Sequence, residues 1–213
     1  MKLLIISGTP KSDGITHSFT ATAVETAKNL GIECDTILLH GKPDGSGTDL
    51  EKCRMCHEGW GICFREHYCA FGQADGFSAL QKKVQWADAY VYITPVYWGE
   101  MSEEMKTFID KLRRCEATKQ WDAREDEVSA LKGKPSIMVA VAGGGGGGIV
   151  TTFMGIERAL THMSGDMQPR ETAGVFDYIA VNRWNQEYKR EALAAAIKEM
   201  HAYQNGKARV PMN

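Results

Sequence analysis

A short apolar run followed directly by a loop of hydroxyls and glycines constrains this chain more than any other stretch. Residues 3–6 are all leucine or isoleucine, and residues 7–16 supply serine, threonine and glycine together with one lysine. After Thr16, apolar residues recur at the spacing of one helical turn, so the pattern predicts a strand, a turn and a helix. In an open α/β sheet such a turn lies beyond the carboxyl end of its strand, where ligands bind. The helix that follows presents unpaired backbone N–H groups, which favour an anion in the turn.

The residues of this loop narrow the choice of anion. A nucleoside triphosphate loop needs a second glycine at a fixed offset, but counting from Gly8 that offset holds Asp13. The dinucleotide pattern Gly-x-Gly-x-x-Gly is also missing, because Thr9 and Pro10 follow Gly8. An ordinary turn with a Ser/Thr cap is the alternative. Hydroxyls and one cation can instead wrap a terminal phosphate monoester without a metal, and the candidates here are Ser7, Thr9, Lys11, Ser12 and Thr16.

Length and charge exclude several classes of protein. A chain of 213 residues suits one α/β domain, and a net charge of −2 gives no sign of nucleic-acid or anionic-membrane binding. No apolar stretch approaches the ~20 residues of a membrane-spanning helix, and the start of the chain does not resemble a signal peptide. We therefore expect a cytoplasmic protein, in which the six cysteines would be reduced thiols or metal ligands.

A second special loop follows the predicted buried strand at residues 88–94. Gly99 allows a close approach of the backbone, and Tyr97 and Trp98 offer faces for stacking. The alternative is that both aromatics belong to the core. Because the loop lies between a strand and a helix start capped by Ser102, we expect a binding loop made of Pro95, Val96, Tyr97, Trp98 and Gly99.

A third loop is a run of six glycines, residues 143–148, after the strand predicted at residues 135–142. Without side chains, backbone N–H groups can approach a planar ring and bond its carbonyl oxygens. The alternative is a plain flexible linker. The run follows a strand and precedes a helix opened by Thr151 and Thr152, so we expect Gly143, Gly144 and Gly145 to bind a ligand.

The regular pattern fails between about residues 40 and 76, where four cysteines occur. Cys53 and Cys56 have a spacing typical of metal ligands, and Cys63 and Cys69 are within reach. Three interpretations remain open: a [4Fe–4S] cluster, a structural zinc ion, or free thiols. Trp60 and Tyr68 also lie in this insertion, where an unsupported loop would leave them exposed.

Residues 7–16 resemble the Gly-Ser-Pro-Arg-x-x-Gly-Asn-Thr loop of the flavodoxin-like NAD(P)H-dependent FMN reductase family. The resemblance implies that this loop holds the FMN phosphate and adds Gly14 and the backbone of Ile15 to the candidates. Lys11 stands here for the usual arginine and Ile15 for the usual asparagine. The run from Pro95 to Gly99 is similar to the family segment that packs against the isoalloxazine ring, and the glycine run matches a segment at its pyrimidine end.

The cysteine insertion resembles that of a large subgroup related to iron–sulfur flavoproteins. Those flavoproteins show a compact Cys-x-x-Cys-x-x-Cys spacing, whereas position 59 is glycine here and the third cysteine is Cys63. With a flavin implied, we expect Trp60 and Tyr68 to pack over the flavin edge or against a partner subunit. The resemblance implies a flavodoxin-like α/β three-layer sandwich. Its five-stranded parallel sheet would have the order 2-1-3-4-5, within one domain over residues 1–213 with the insertion at about 40–76.

The family resemblance also implies a reaction. NAD(P)H would reduce bound FMN, and a quinone, a flavin or a similar small molecule would accept the electrons. The chemistry belongs to the cofactor, so no protein acid or base is nominated. An iron–sulfur flavoprotein that carries single electrons and a non-catalytic flavin-binding module are the alternatives. We expect a homodimer or higher homo-oligomer, because flavin sites of this type are often completed across an interface.

Overall fold

A central parallel sheet with helices on both faces forms the framework of the computed structural model. The structure describes residues 1–40, 47–119, 128–164 and 175–206. Part of the predicted insertion, residues 41–46, lies outside the described residues. The main strands are β1 (Lys2–Ser7), β2 (Glu33–Leu38), β3 (Ala89–Tyr97), β5 (Ser136–Val141) and β6 (Val175–Val181), and a two-residue β4 (Glu100–Met101) follows β3.

The strand order is β2-β1-β3-β5-β6, with every neighbouring pair parallel. The predicted order of the five main strands and the flavodoxin-like class are therefore confirmed. The sequence did not predict β4, which pairs antiparallel with the end of β3 and makes the sheet six-stranded.

The helices form the two outer layers. They are α1 (Ile15–Asn29), a single-turn α2 (Ile62–Arg65), α3 (Phe77–Trp86), α4 (Glu103–Glu116), α5 (Ile149–Ser164) and α6 (Gln186–Gln204). One face of the sheet packs against α1 and α6, through side chains such as Phe19, Ile93 and Leu193. The other face packs against α3, α4 and α5, through side chains such as Phe77, Phe108 and Ile156. Both faces of the sheet are thus covered, which explains why the central strands read as unbroken apolar runs.

The helix α4 matters most for the position of the site. Met105, Phe108, Ile109 and Leu112 recur in the sequence at helical spacing and are all buried, so they form the core-facing side of this helix. Ser102 is its N-cap, as predicted, and its hydroxyl accepts a hydrogen bond from the Met105 N–H at 3.2 Å. The helix runs from the carboxyl edge of the sheet back along its face. No helix among the described residues is long and apolar enough to cross a membrane.

Candidate functional site

The loop between β1 and α1, residues 8–14, ends in a helix start that lacks a side-chain cap. Gly14 is the N-cap of α1, with φ of 91° and no side-chain hydrogen bond to the first turn. The first N–H groups of the helix have no intrahelical acceptor and point toward the loop. Pro10 and Asp13 are exposed, as are the predicted phosphate residues Lys11, Ser12 and Gly14, whereas Ile15 is half-buried. These positions leave room for an anion at the positive end of α1.

The hydroxyls at the base of this loop are buried. Ser7 accepts a hydrogen bond from the Thr20 hydroxyl at 2.9 Å, and the Thr9 hydroxyl accepts one from the Lys11 N–H at 3.3 Å. Thr16 lies in the first turn of α1 and is also buried. Ser7 and Thr9 therefore hold the loop in shape, while Lys11 and Ser12 extend from it into solvent.

The second predicted loop is a tight β-hairpin. Val96 pairs with Met101 and Tyr97 with Glu100, which leaves Trp98 and Gly99 as the two turn residues. Their φ values are 52° and 86°, the signature of a type I′ turn. Trp98 is fully exposed and Tyr97 is 45% exposed, so the core interpretation of these aromatics is excluded. Pro95 is buried and Val96 half-buried beneath them.

Tyr97 carries the only phenol of this hairpin. Partial burial, together with the nearby carboxylate of Glu104, raises the pKa of Tyr97. The phenol therefore stays protonated at neutral pH and can donate a hydrogen bond.

Ser102 joins the first loop to the end of the hairpin. Its hydroxyl donates to the Gly8 carbonyl, and its N–H donates to the Thr94 hydroxyl at 3.1 Å. Gly8 also donates its own N–H to the Ile93 carbonyl at 2.8 Å. A Cβ at Gly8 would lie 2.7 Å from the Met105 Cβ, so this contact requires glycine. The two loops are therefore fixed to each other through the start of α4.

The glycine run contacts the hairpin from its other side. A Cβ at Gly148 would lie 2.3 Å from the Gly99 Cα, and Thr151 donates its hydroxyl to the carbonyls of Gly99 and Gly148. By contrast, a Cβ at Gly143 or Gly144 would meet nothing within 4 Å. Gly148 thus fixes the loop, while the predicted binding glycines Gly143, Gly144 and Gly145 are exposed.

The loop after β6 also reaches this edge, which the sequence did not predict. The Arg183 N–H donates to the Gly144 carbonyl at 3.2 Å. Trp184 is largely exposed, and its ring would lie 3.8 Å from a Cβ at Gly145. Trp184 lies between β6 and α6, and an aromatic residue in a loop after a strand of an α/β sheet is the signal that could have identified it. Loops from β1, β3, β5 and β6 therefore meet at one edge of the sheet.

All four insertion cysteines line one cavity. Cys53, Cys56, Cys63 and Cys69 surround a space of about 30 Å³, which is room for roughly one water molecule. Among the residues that the structure describes, no three His, Cys, Asp or Glu side chains are placed to hold a single metal ion. This placement of the described side chains does not fit a structural zinc ion, which needs four converging ligands. All six cysteines are unpaired.

A fifth cysteine and two cations complete this cysteine cavity. Cys115, Lys111 and Arg114 reach it from α4. Burial raises the pKa of the Cys63 thiol, and so do Cys53 and Cys69 beside it, while Arg114 acts in the opposite direction. Burial also raises the pKa of the Cys115 thiol, so this thiol is protonated at neutral pH.

An ion pair joins the insertion to α4 behind the cavity. Lys111 pairs with the Asp75 carboxylate, and both side chains are more than nine-tenths buried. Lys111 also donates to the Glu51 carbonyl at 3.2 Å. The insertion is therefore anchored to the main fold on both sides of its cysteines.

Trp60 and Tyr68 lie away from the loops at the sheet edge. Trp60 packs its ring against Phe64, with centroids 4.9 Å apart, and lies beside Arg113 near the C-terminal end of α4. Ser102, which contacts the first loop, is at the opposite end of this helix of 14 residues, or about 21 Å at 1.5 Å per residue. Trp60 is therefore distant from the predicted binding loops of the same chain, and the expectation that it packs over a flavin edge or against a partner subunit stays a prediction. Tyr68 is also exposed, beside the polar pocket that contains Gln81 and Lys82.

Known proteins match this chain in sequence and in fold. The family model described as NADPH-dependent FMN reductase matches residues 1–164. An iron–sulfur flavoprotein from Methanosarcina thermophila is 27% identical over 111 residues, which cover 52% of this chain and 52% of that protein. The chain thus spans about half the length of this relative.

Two solved structures show the same fold. A flavone reductase superimposes with a TM-score of 0.66 at 17% identity, covering 100% of this chain and 66% of the other. An FMN-dependent NADH-azoreductase from Bacillus anthracis, solved with FMN, superimposes with a TM-score of 0.60 at 11% identity, covering 97% and 100%. At these identities the similarity concerns the fold alone.

Proposed function

Because the chain belongs to the NADPH-dependent FMN reductase family, we propose that it binds FMN and catalyses electron transfer from NAD(P)H to a small acceptor. The observation that carries the proposal is the meeting of three predicted loops at one sheet edge. The uncapped start of α1 suits a phosphate, the hairpin offers an exposed aromatic side chain, and Gly143 and Gly144 leave open space. These features fit the phosphate, the face and the edge of a flavin mononucleotide.

The protein residues would bind FMN and shape the slot for the acceptor, while the cofactor would supply the redox chemistry. Bound FMN would take two electrons from NAD(P)H and pass them to a quinone, a free flavin or a similar small molecule. Lys11 and Ser12 would hold the phosphate together with the α1 N–H groups. Tyr97 and Trp98 would border the slot through which the nicotinamide and the acceptor approach.

A flavin titration tests this proposal directly. Addition of FMN to the purified chain should quench the fluorescence of the flavin at a ratio of one FMN per chain. The Ser12→Ala variant should bind FMN several-fold more weakly with unchanged stability, because Ser12 is exposed in the loop. NADH or NADPH should then bleach the bound flavin under anaerobic conditions. A chain that does not bind FMN would contradict the proposal, and bound FMN that neither nicotinamide reduces would indicate a non-catalytic flavin-binding module.

A one-electron iron–sulfur flavoprotein is the second candidate function. It is favoured by the placement of Cys53, Cys56, Cys63 and Cys69 around one cavity, with Lys111 and Arg114 as nearby cations. Four thiolates can bind a [4Fe–4S] cluster. The cavity of about 30 Å³ is small for such a cluster, which is why this function ranks second. Iron and sulfide analysis of anaerobically purified protein should find about four of each per chain if this candidate is correct.

We further propose that the functional unit is a homo-oligomer, with residues 1–213 as one domain. The support is an exposed apolar surface beside the site, where Trp98 and Trp184 are joined by Val150 and Met154 one turn apart on α5. Single exposed apolar residues are ordinary, but a contiguous group marks an interface. The six unpaired thiols support a cytoplasmic location.

A further inference from the structure

A groove on the outer side of the cysteine insertion has features that the proposed reductase activity does not use. The Trp60 groove lies between the insertion and the C-terminal ends of α4 and α5, and its volume is about 190 Å³. Its lining includes Trp60, Phe64, Arg113, Arg114, Thr118 and His162. It is about one length of α4 away from the loops proposed to bind FMN.

Arg113 is the most unusual residue of this groove. Its side chain makes no hydrogen bond or ion pair with any residue that the structure describes, and its Nε atom is buried. A buried N–H of a charged group without an acceptor is costly. The position of Arg113 in the last turn of α4 explains a positive charge there, because of the helix dipole, but it does not explain a buried donor without a partner.

Arg114 adds a second guanidinium without a carboxylate. The Arg114 guanidinium donates a hydrogen bond to the Met55 sulfur at 3.4 Å. No ion pair links it to a carboxylate in the described part of the chain. The carboxylates nearest in sequence are engaged elsewhere, since Glu116 pairs with Lys119 and Asp110 with Lys106. Two neighbouring arginines thus carry charge into a groove whose described lining residues include no carboxylate.

The wall beside the arginines is aromatic. Trp60 is 61% exposed although it contacts Phe64 edge to face, so one large ring surface remains open. Exposed tryptophan beside arginine is a typical composition of binding surfaces. The volume is below the roughly 300–1,000 Å³ of sites for drug-sized ligands, so the groove suits one ring or two fused rings.

We propose that the Trp60 groove binds a small aromatic carboxylate, with its ring against Trp60 and Phe64 and its carboxylate on Arg113 and Arg114. Planar guanidinium groups match carboxylates in a two-point geometry, and this pairing supplies the acceptor that Arg113 Nε lacks. The site is separate from the FMN loops, so it does not depend on the proposed reductase activity.

Calorimetric titration of the full chain with 2-naphthoate tests the proposal, both with and without FMN. We expect one site per chain in both states. The neutral analogue 2-naphthamide should bind at least tenfold more weakly, since it has no charge for the arginines. Arg113→Gln and Trp60→Leu should each weaken naphthoate binding at least tenfold, and Arg113→Lys should recover only part of the loss.

Two controls locate the site. Lys198→Gln removes the same charge from an exposed position on α6, on the opposite face of the sheet, and should leave the affinity unchanged. Trp98→Asn at the hairpin should also leave it unchanged. The proposal is overturned if naphthoate does not bind, if the amide binds equally well, or if a folded Arg113→Gln variant keeps full affinity. Loss of binding in Trp98→Asn with retention in Trp60→Leu would place the ligand over the flavin and would equally overturn it.

Discussion

At the scale of single residues, the contact between Gly148 and Gly99 sets the geometry of the sheet edge. Gly148 has φ of 82°, and a Cβ there would overlap the Gly99 backbone. We expect Gly148→Ala to lower the free energy of unfolding by about 1–3 kcal/mol, because it adds both an unfavourable φ and a clash. FMN affinity should fall with it, since the hairpin must move away. Urea denaturation and flavin titration measure the two effects.

Gly144→Ala is the matched control for this substitution. Its Cβ would meet nothing within 4 Å, so the stability should change by no more than about 0.5 kcal/mol. If the open side of Gly144 faces the flavin, as proposed, FMN affinity should fall nevertheless. Equal loss of stability in both variants would show that the loop does not pack as described.

Buried thiols and phenols make the free energy of unfolding depend on pH in the alkaline range. Burial raises the pKa of the Cys115 thiol above its usual 9.0 and that of the Tyr92 phenol above its usual 10.0. The unfolded chain therefore loses these protons at lower pH than the folded chain. Stability from these groups is complete below about pH 9 and decreases as the pH rises further.

Urea denaturation at about pH 8 and about pH 10.5, with a phosphine reductant present, measures this decrease. Cys115→Ala should be less stable than the natural chain at the lower pH, because it leaves a small cavity, but its stability should fall less steeply with pH. A free energy of unfolding that stays constant over this range would contradict the burial of these groups.

At the scale of elements, the hairpin at Trp98 holds a residue that does not suit its backbone. Trp98 has φ of 52°, which asparagine tolerates far better, and Asn-Gly is the preferred pair for a type I′ turn. We expect Trp98→Asn to keep or raise the stability of the fold while it slows turnover with aromatic acceptors. Thermal unfolding and steady-state kinetics separate these effects. Unchanged kinetics would exclude a role for Trp98 in the acceptor slot.

The buried ion pair between Lys111 and Asp75 is the second feature of this scale. Lys111→Met leaves a carboxylate buried without its partner and should cost about 3–5 kcal/mol. Asp75→Asn should also destabilise, although asparagine can still accept the hydrogen bond that Asp75 receives from the Phe77 N–H. The variant that carries both substitutions should lose less free energy of unfolding than the sum of the two single losses. Lys106→Gln, which breaks an exposed pair on the same helix, should cost less than about 1 kcal/mol.

Local patterns predicted the elements better than their contacts. The apolar run at residues 3–6, the Ser102 cap and the stripe from Met105 to Leu112 are visible in the sequence because they depend on neighbours along the chain. The turn at Trp98 and Gly99 was missed, since tryptophan gives no signal for positive φ. Cys115 and Arg114 reach the insertion only through the packing of α4, which no spacing reveals. The position of Trp60 beside the C-terminal end of α4 depends on the same packing, so the sequence gives no signal for it.

At the scale of the whole molecule, the apolar surface around Trp98 should decide the oligomeric state. Met154 is 53% exposed and lies one turn from Val150. We expect Met154→Lys to convert the proposed homo-oligomer into monomers, because it places a charge in the interface. Light scattering coupled to gel filtration measures the mass. Gln85→Lys, at an exposed position on α3, is the matched control, and a monomeric natural chain would contradict the proposal.

The Lys111–Asp75 pair also limits how this protein can be recombined with its relatives. The carboxylate belongs to the insertion and the ammonium to α4, 36 positions apart along the chain. A chimera that takes its insertion from a relative without an acidic residue in place of Asp75 would leave the Lys111 ammonium buried without a partner. A chimera that exchanges the positions of Asp75 and Lys111 together should fold where a chimera that exchanges only one of them does not. The segment that can be transferred between relatives therefore includes Lys111 as well as the insertion.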